Sequence, residues 1–121
     1  MAQRLLAIVE LGGYPDFTAD YNLLGFDVSL VKSVRKAIVD IKKNPPHVIV
    51  TEFNFQSDFR DRTSSLETLM ACLQQQKISP KIIVLYEKEY QTKFDILQAR
   101  FPVYRSLSFP VDKRRLINCL K

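Results

Sequence analysis

Two stretches, Leu5-Leu-Ala-Ile-Val9 and Lys81-Ile-Ile-Val-Leu85, are almost unbroken apolar runs of strand length. A strand with one wet face alternates apolar and polar residues, whereas an unbroken run leaves no face for water. Such strands sit inside a sheet that is covered on both sides. His47-Val-Ile-Val-Thr51 is a third run of this kind, and it leads directly into an acid, Glu52. Helical periods separate these runs, and this alternation restricts the chain to few architectures.

Local signals place the other elements. Gly12-Gly-Tyr-Pro15 breaks the first strand. Asp16 is placed to cap a helix from about Phe17 to Leu24, and Gly25 stands where a left-handed residue ends it. Phe26-Asp-Val-Ser-Leu30 alternates as a short second strand. Ser33 caps a second helix whose apolar positions Val34, Ala37, Ile38 and Ile41 share one face. Lys42 and Lys43 favour its last turn, and Pro45-Pro46 stops it. After the third strand comes a polar loop, Asn54 to Thr63. A third helix runs from Ser64 or Ser65 to Gln76, burying Leu66, Leu69, Met70 and Leu73. Lys81–Leu85 is the fourth strand. Glu89–Arg100 is a fourth helix with Phe94 and Leu97 inward, and Val103–Ser108 is the fifth strand. Asp112 caps a last helix, Lys113–Leu120, with Leu116 and Leu120 inward.

The pattern is β-α repeated five times. Strands joined through helices run parallel, and right-handed crossovers wind such a sheet on both faces. Five strands in 121 residues suit the flavodoxin-like order 2-1-3-4-5 in one three-layer α/β domain spanning 1–121. In such sheets ligands and chemistry sit at the carboxyl ends of the strands, here around Glu10, Leu11, Thr51, Glu52, Phe53 and Tyr86.

Composition removes several function classes. Three glycines leave no glycine-rich phosphate cradle. One histidine and two cysteines, Cys72 and Cys119 in separate helices, do not make a zinc site, and the cysteines read as small buried apolar residues. No nucleophile–base pair is visible, so no enzyme activity is expected, and His47 lies at the far end of its strand. No cofactor or metal is implied. No run is long enough to span a membrane or to form a secretory signal, so a cytoplasmic location is expected. The net charge of +5 admits an acidic partner. Nucleic-acid binding is disfavoured because no recognition motif appears.

The run from Gly25-Phe-Asp-Val28 to Asn44-Pro-Pro-His-Val-Ile-Val-Thr-Glu52, together with Pro110-Val-Asp-Lys113, resembles the receiver domain of bacterial response regulators, the chemotaxis-regulator-like signalling fold. The resemblance implies a phospho-acceptor pocket, and most of its chemistry is altered here. The two metal-holding acids that end strand one correspond to Glu10 and Leu11. The acceptor aspartate corresponds to Glu52, the switch hydroxyl to Tyr86, and the lysine before the proline to Phe109. The aromatic switch position in strand five falls on Ser106. Mg²⁺ needs oxygen ligands, which Leu11 lacks. Tyr86 and Phe109 are expected to fill the former acidic pocket, and Tyr14 is a candidate to cover its mouth. Glu10 and Glu52 read as solvated carboxylates at strand ends; the alternative is a pair that holds a cation weakly.

These substitutions describe a degenerate pocket and, as the leading expectation, a pseudo-receiver that acts by protein–protein interaction without phosphotransfer. By the same resemblance, the face of helix four, strand five and helix five would dock another signalling protein or a second copy of the chain. Its residues are Lys88, Tyr90, Lys93, Tyr104, Arg105, Lys113 and Arg114. Two alternatives remain open: an atypical phosphorelay receiver that uses Asp58 or Asp61 of the polar loop, and a regulator that binds nucleic acid through its basic surface.

Overall fold

The computed structural model of the chain describes residues 3–10, 12, 14–53, 65–101 and 103–120. Within them five parallel strands form one sheet: β1 (Arg4–Ile8), β2 (Asp27–Val31), β3 (Val48–Phe53), β4 (Lys81–Tyr86) and β5 (Arg105–Ser108). Their order is β2-β1-β3-β4-β5, so the connection direction reverses between β1 and β3. The helices are α1 (Thr18–Leu23), α2 (Val34–Lys43), α3 (Ser65–Gln76), α4 (Gln91–Arg100) and α5 (Lys113–Leu120), and a 3-10 turn at Lys88–Tyr90 leads into α4.

The pleat divides the core in two. Residues Leu6, Ile8, Ile49, Phe53, Ile82, Val84 and Tyr86 face α2, α3 and α4. Residues Leu5, Ala7, Val48, Val50, Ile83 and Leu85 face α1 and α5. All six residues of β3 are buried, as its position between β1 and β4 requires. Edge strand β2 has two exposed residues, which fits its alternating sequence.

Helix ends follow their local chemistry. Ser33 Oγ accepts the Lys36 N–H at 3.1 Å and caps α2. At the end of α1, the Gly25 N–H donates to Asn22 O and the Phe26 N–H to Tyr21 O; this paired closure needs a left-handed residue, and Gly25 has φ of +91°. The same closure ends α3, where Lys77 and Ile78 donate to Gln74 and Leu73, but there the left-handed residue is a lysine with φ of +57°. The cap of α1 differs from the sequence expectation. Its N-cap is Phe17, and Asp16 acts one residue earlier, its Oδ1 accepting both the N–H and the hydroxyl of Thr18 at 2.9 and 2.6 Å. Asp16 therefore holds the entry turn, and these hydrogen bonds lower its pKa. Strand five is shorter than its pattern suggests, starting at Arg105. Among the described residues no helix is long and apolar enough to cross a membrane.

Candidate functional site

The carboxyl ends of β1 and β3 lie side by side because Leu5, Leu6 and Ala7 pair with Val48, Ile49 and Val50. Two residues further along β3, the pleat turns Glu52 to the same side as Val50, toward α1 and α5. Glu52 is 1% exposed. Its Oε2 accepts the Tyr14 hydroxyl at 2.7 Å and the Glu10 backbone N–H at 3.0 Å. A buried carboxylate is tolerated only with such donors. The expectation of a solvated strand-end acid is therefore corrected for Glu52: it lies inside the protein and accepts hydrogen bonds there. Glu10 is half-buried, and its backbone as well as its position belongs to the cluster.

Tyr14 closes the cluster. Its ring stacks on Phe109 at 5.6 Å between centroids and on Phe17 at 6.4 Å. Burial, then the hydrogen bond and charge of Glu52, hold its hydroxyl protonated far above the usual tyrosine range. Tyr14 thus donates to Glu52 at any physiological pH. Phe109 follows β5 through a hydrogen bond from its N–H to Tyr86 O, and its peptide bond to Pro110 is cis. It presents a ring, where an ammonium would be needed to neutralise a phosphate.

Tyr86 lies elsewhere, which corrects the expectation that it crowds this pocket. The β3–β4 register aligns Glu52 with Leu85 and Phe53 with Tyr86. The pleat then sends Tyr86 to the opposite face, where its ring stacks on Phe94 at 4.9 Å and its hydroxyl donates to Gln91 Oε1 at 2.7 Å. Leu11 and the loop aspartates Asp58 and Asp61 lie outside the described residues. His47 is exposed at the far end of β3, and its Nδ1 accepts the Arg4 N–H. Sequence reasoning gave Tyr14 no defined direction. The signal available was an aromatic residue just past a strand end, in a chain where a neighbouring strand ends in an acid.

The donor set does not fit Mg²⁺. The ion needs several carboxylate or water oxygens in octahedral array. Glu52 Oε2 is already taken by two donors beneath an aromatic cover, and the second strand-one position is a leucine.

On the other flank of the sheet, Lys88, Lys93, Arg105, Lys113 and Arg114 are exposed. Tyr104 is 38% exposed and lies between two cations, with Lys81 Nζ 5.0 Å and the Arg105 guanidinium 4.7 Å from its ring centroid. Tyr90 is half-buried against the core, so it contributes less free surface than the sequence suggested. Lys113 is drawn toward α1 by Asp20 at 3.0 Å.

Neither a family model nor a curated protein matches the sequence. Solved structures match its fold. The CheY-like receiver domain from Methanospirillum hungatei JF-1 superposes with a TM-score of 0.78 at 12% identity, covering 99% of this chain and 91% of that one. The regulatory domain of the repressor of iron transport regulator, in its inactive form, gives 0.75 at 18%, covering 98% and 92%. A streptococcal protein, described among redox sensors that evolved from two-component response regulators, gives 0.79 at 18%, covering 98% of this chain and 49% of that one. With β2-β1-β3-β4-β5 topology and these neighbours, the chain has the fold of response-regulator receiver domains.

Proposed function

We propose that this chain is a pseudo-receiver, a cytoplasmic signalling domain that works by protein–protein contact and carries out no phosphotransfer. The observation that carries this reading is the state of Glu52. A phospho-acceptor must meet its donor in line, with metal and cationic help at the transferring group. Glu52 is instead 1% exposed, bound by Tyr14 and Glu10, and roofed by the Tyr14–Phe109 stack. Its Oε2 is a hydrogen-bond acceptor that ties Glu10 and Tyr14 to the end of β3. The resulting domain is held in one arrangement, and its output lies in its surface.

The surface that fits a partner is the flank built from the 3-10 turn, α4, β5 and α5. Lys88, Lys93, Arg105 and Arg114 give it positive charge, and Tyr104 between Lys81 and Arg105 supplies a rigid aromatic centre. Aromatic residues and arginine are the side chains that most often anchor interfaces, and the charge selects an acidic partner. The partner is another signalling protein or a second copy of the chain. Incubation with acetyl phosphate and Mg²⁺ followed by intact-mass measurement tests the proposal. The expected spectrum shows the unmodified mass; a stoichiometric phosphoryl adduct would overturn the reading.

A further inference from the structure

A cavity of about 270 Å³ opens between α1 and the ends of β1 and β2, next to the Glu52 cluster. Small-molecule sites begin at around 300 Å³ and are mostly apolar with a few placed polar groups. This cavity has that make-up. Ala7, Val9 and Val50 are among its apolar lining residues, and Tyr14, Phe17 and Tyr21 are its aromatic ones. Two polar groups at its boundary are unspent. Tyr21 is 4% exposed as a residue, but its hydroxyl is not an enclosed orphan; it takes no side-chain partner among the described residues and is open to water. Lys32 is an exposed rim cation with no acidic partner among the described residues. The rim acid, Asp16, remains negatively charged, its Oδ1 stabilised by two hydrogen bonds from Thr18, so a second anion has to lie on the Lys32 side of the opening.

We propose that this cavity is a binding site for a small aromatic carboxylate, a one- or two-ring compound whose ring lies against Tyr14, Phe17 and Tyr21 and whose carboxylate meets Lys32 and the Tyr21 hydroxyl. Flat rings match these aromatic side chains through offset stacking. An anion matches Lys32, the one cation among the cavity's lining residues. Burial, followed by the charges of Asp16 and Asp20, keeps the Tyr21 hydroxyl protonated well above the usual tyrosine range, so it is a constant donor for such an acceptor. Tyr14 is shared between the cavity lining and the Glu52 hydrogen bond, so an occupant bears directly on the end of β3. The inference stands whether or not Glu52 accepts phosphate.

Titration of the ¹⁵N-labelled chain with 1-naphthoate, 1-naphthylmethanol and 1-naphthylmethylammonium tests it. The expected result is a saturable shift of the Val9, Tyr21, Leu30 and Lys32 amides with naphthoate. The alcohol and the ammonium should bind about fivefold or more weaker, the span of an exposed ion pair. Lys32→Gln, at a surface position that does not endanger the fold, should weaken naphthoate about fivefold and narrow its preference over the alcohol by the same factor. Tyr21→Phe, which keeps the ring, should weaken it about tenfold through the lost hydrogen bond to a charged group. Three results would overturn the site: no saturable shift at millimolar naphthoate, shifts centred on another surface, or equal affinities for the three probes. Naphthoate affinity unchanged in both variants would do the same.

Discussion

Replacing Tyr14 with phenylalanine isolates the hydrogen bond on which the reading of Glu52 depends. The ring survives, so its stacking on Phe109 and Phe17 is retained, and only the 2.7 Å bond to the buried carboxylate is lost. Glu52 cannot turn to water, because it is 1% exposed, and it keeps the Glu10 N–H. A hydrogen bond to a charged group contributes about 1.5–3 kcal/mol, so Tyr14→Phe should cost ~2 kcal/mol. At roughly 2.1 cal/mol/K of unfolding entropy per residue, 121 residues carry about 0.25 kcal/mol/K, and the midpoint should fall by about 8 °C. Tyr86→Phe is the internal comparison. It deletes a hydroxyl bond of the same 2.7 Å length to the neutral, exposed Gln91, which is worth about 1 kcal/mol or less. Urea unfolding of wild type, Tyr14→Phe, Glu52→Gln and the double variant completes the cycle. The two single changes should couple by about 1 kcal/mol or more. If Tyr14→Phe matches Tyr86→Phe in cost, or the coupling is zero, the buried Tyr14–Glu52 bond is not what holds the end of β3.

Three further outcomes are expected. Above pH 10, the usual tyrosine value, the unfolded chain releases protons that folded Tyr14 and Tyr21 retain; the stability they provide is complete below that pH and lost as pH rises. Removing one of them, in Tyr14→Phe, should reduce the alkaline slope of unfolding free energy by about 1.4 kcal/mol per pH unit, measured by urea titration between pH 10 and 11.5. Thr51 Oγ1 is fully buried with no hydrogen-bond partner among the described residues, so Thr51→Val should raise stability by about 1 kcal/mol, and a loss in chemical denaturation would show that the hydroxyl is satisfied. Lys77 holds a left-handed conformation at the end of α3, and Lys77→Gly should raise the thermal midpoint by the equivalent of about 0.5–1 kcal/mol, unlike glycine elsewhere in that helix.

Much of the fold was legible because its signals are local. Apolar runs at Leu5–Val9 and Lys81–Leu85, helical spacing at Val34, Ala37 and Ile41, and the Ser33 and Gly25 caps each act over a few residues, and the structure contains them with ends shifted by a residue or two. The parallel order followed because helices separate every pair of strands. Asp16 was read as a helix cap and holds the turn before the helix, a difference that depends on one backbone residue.

The site was legible only as a set of residue types at strand ends. The sequence determined by itself that an acid ends β3, that a leucine follows Glu10, and that Phe109 stands before Pro110. Which of these side chains meet was decided by inter-strand register and the pleat. One step of register aligns Glu52 with Leu85 and puts Tyr86 beside Phe53, and alternation then sends Glu52 and Tyr86 to opposite faces of the sheet. Tyr14, 38 residues from Glu52, becomes its hydrogen-bond donor because the tertiary fold brings it to the end of β3. A local pattern can state that a carboxylate stands at a strand end. Its burial depends on groups brought from distant parts of the chain, and only the tertiary structure supplies them.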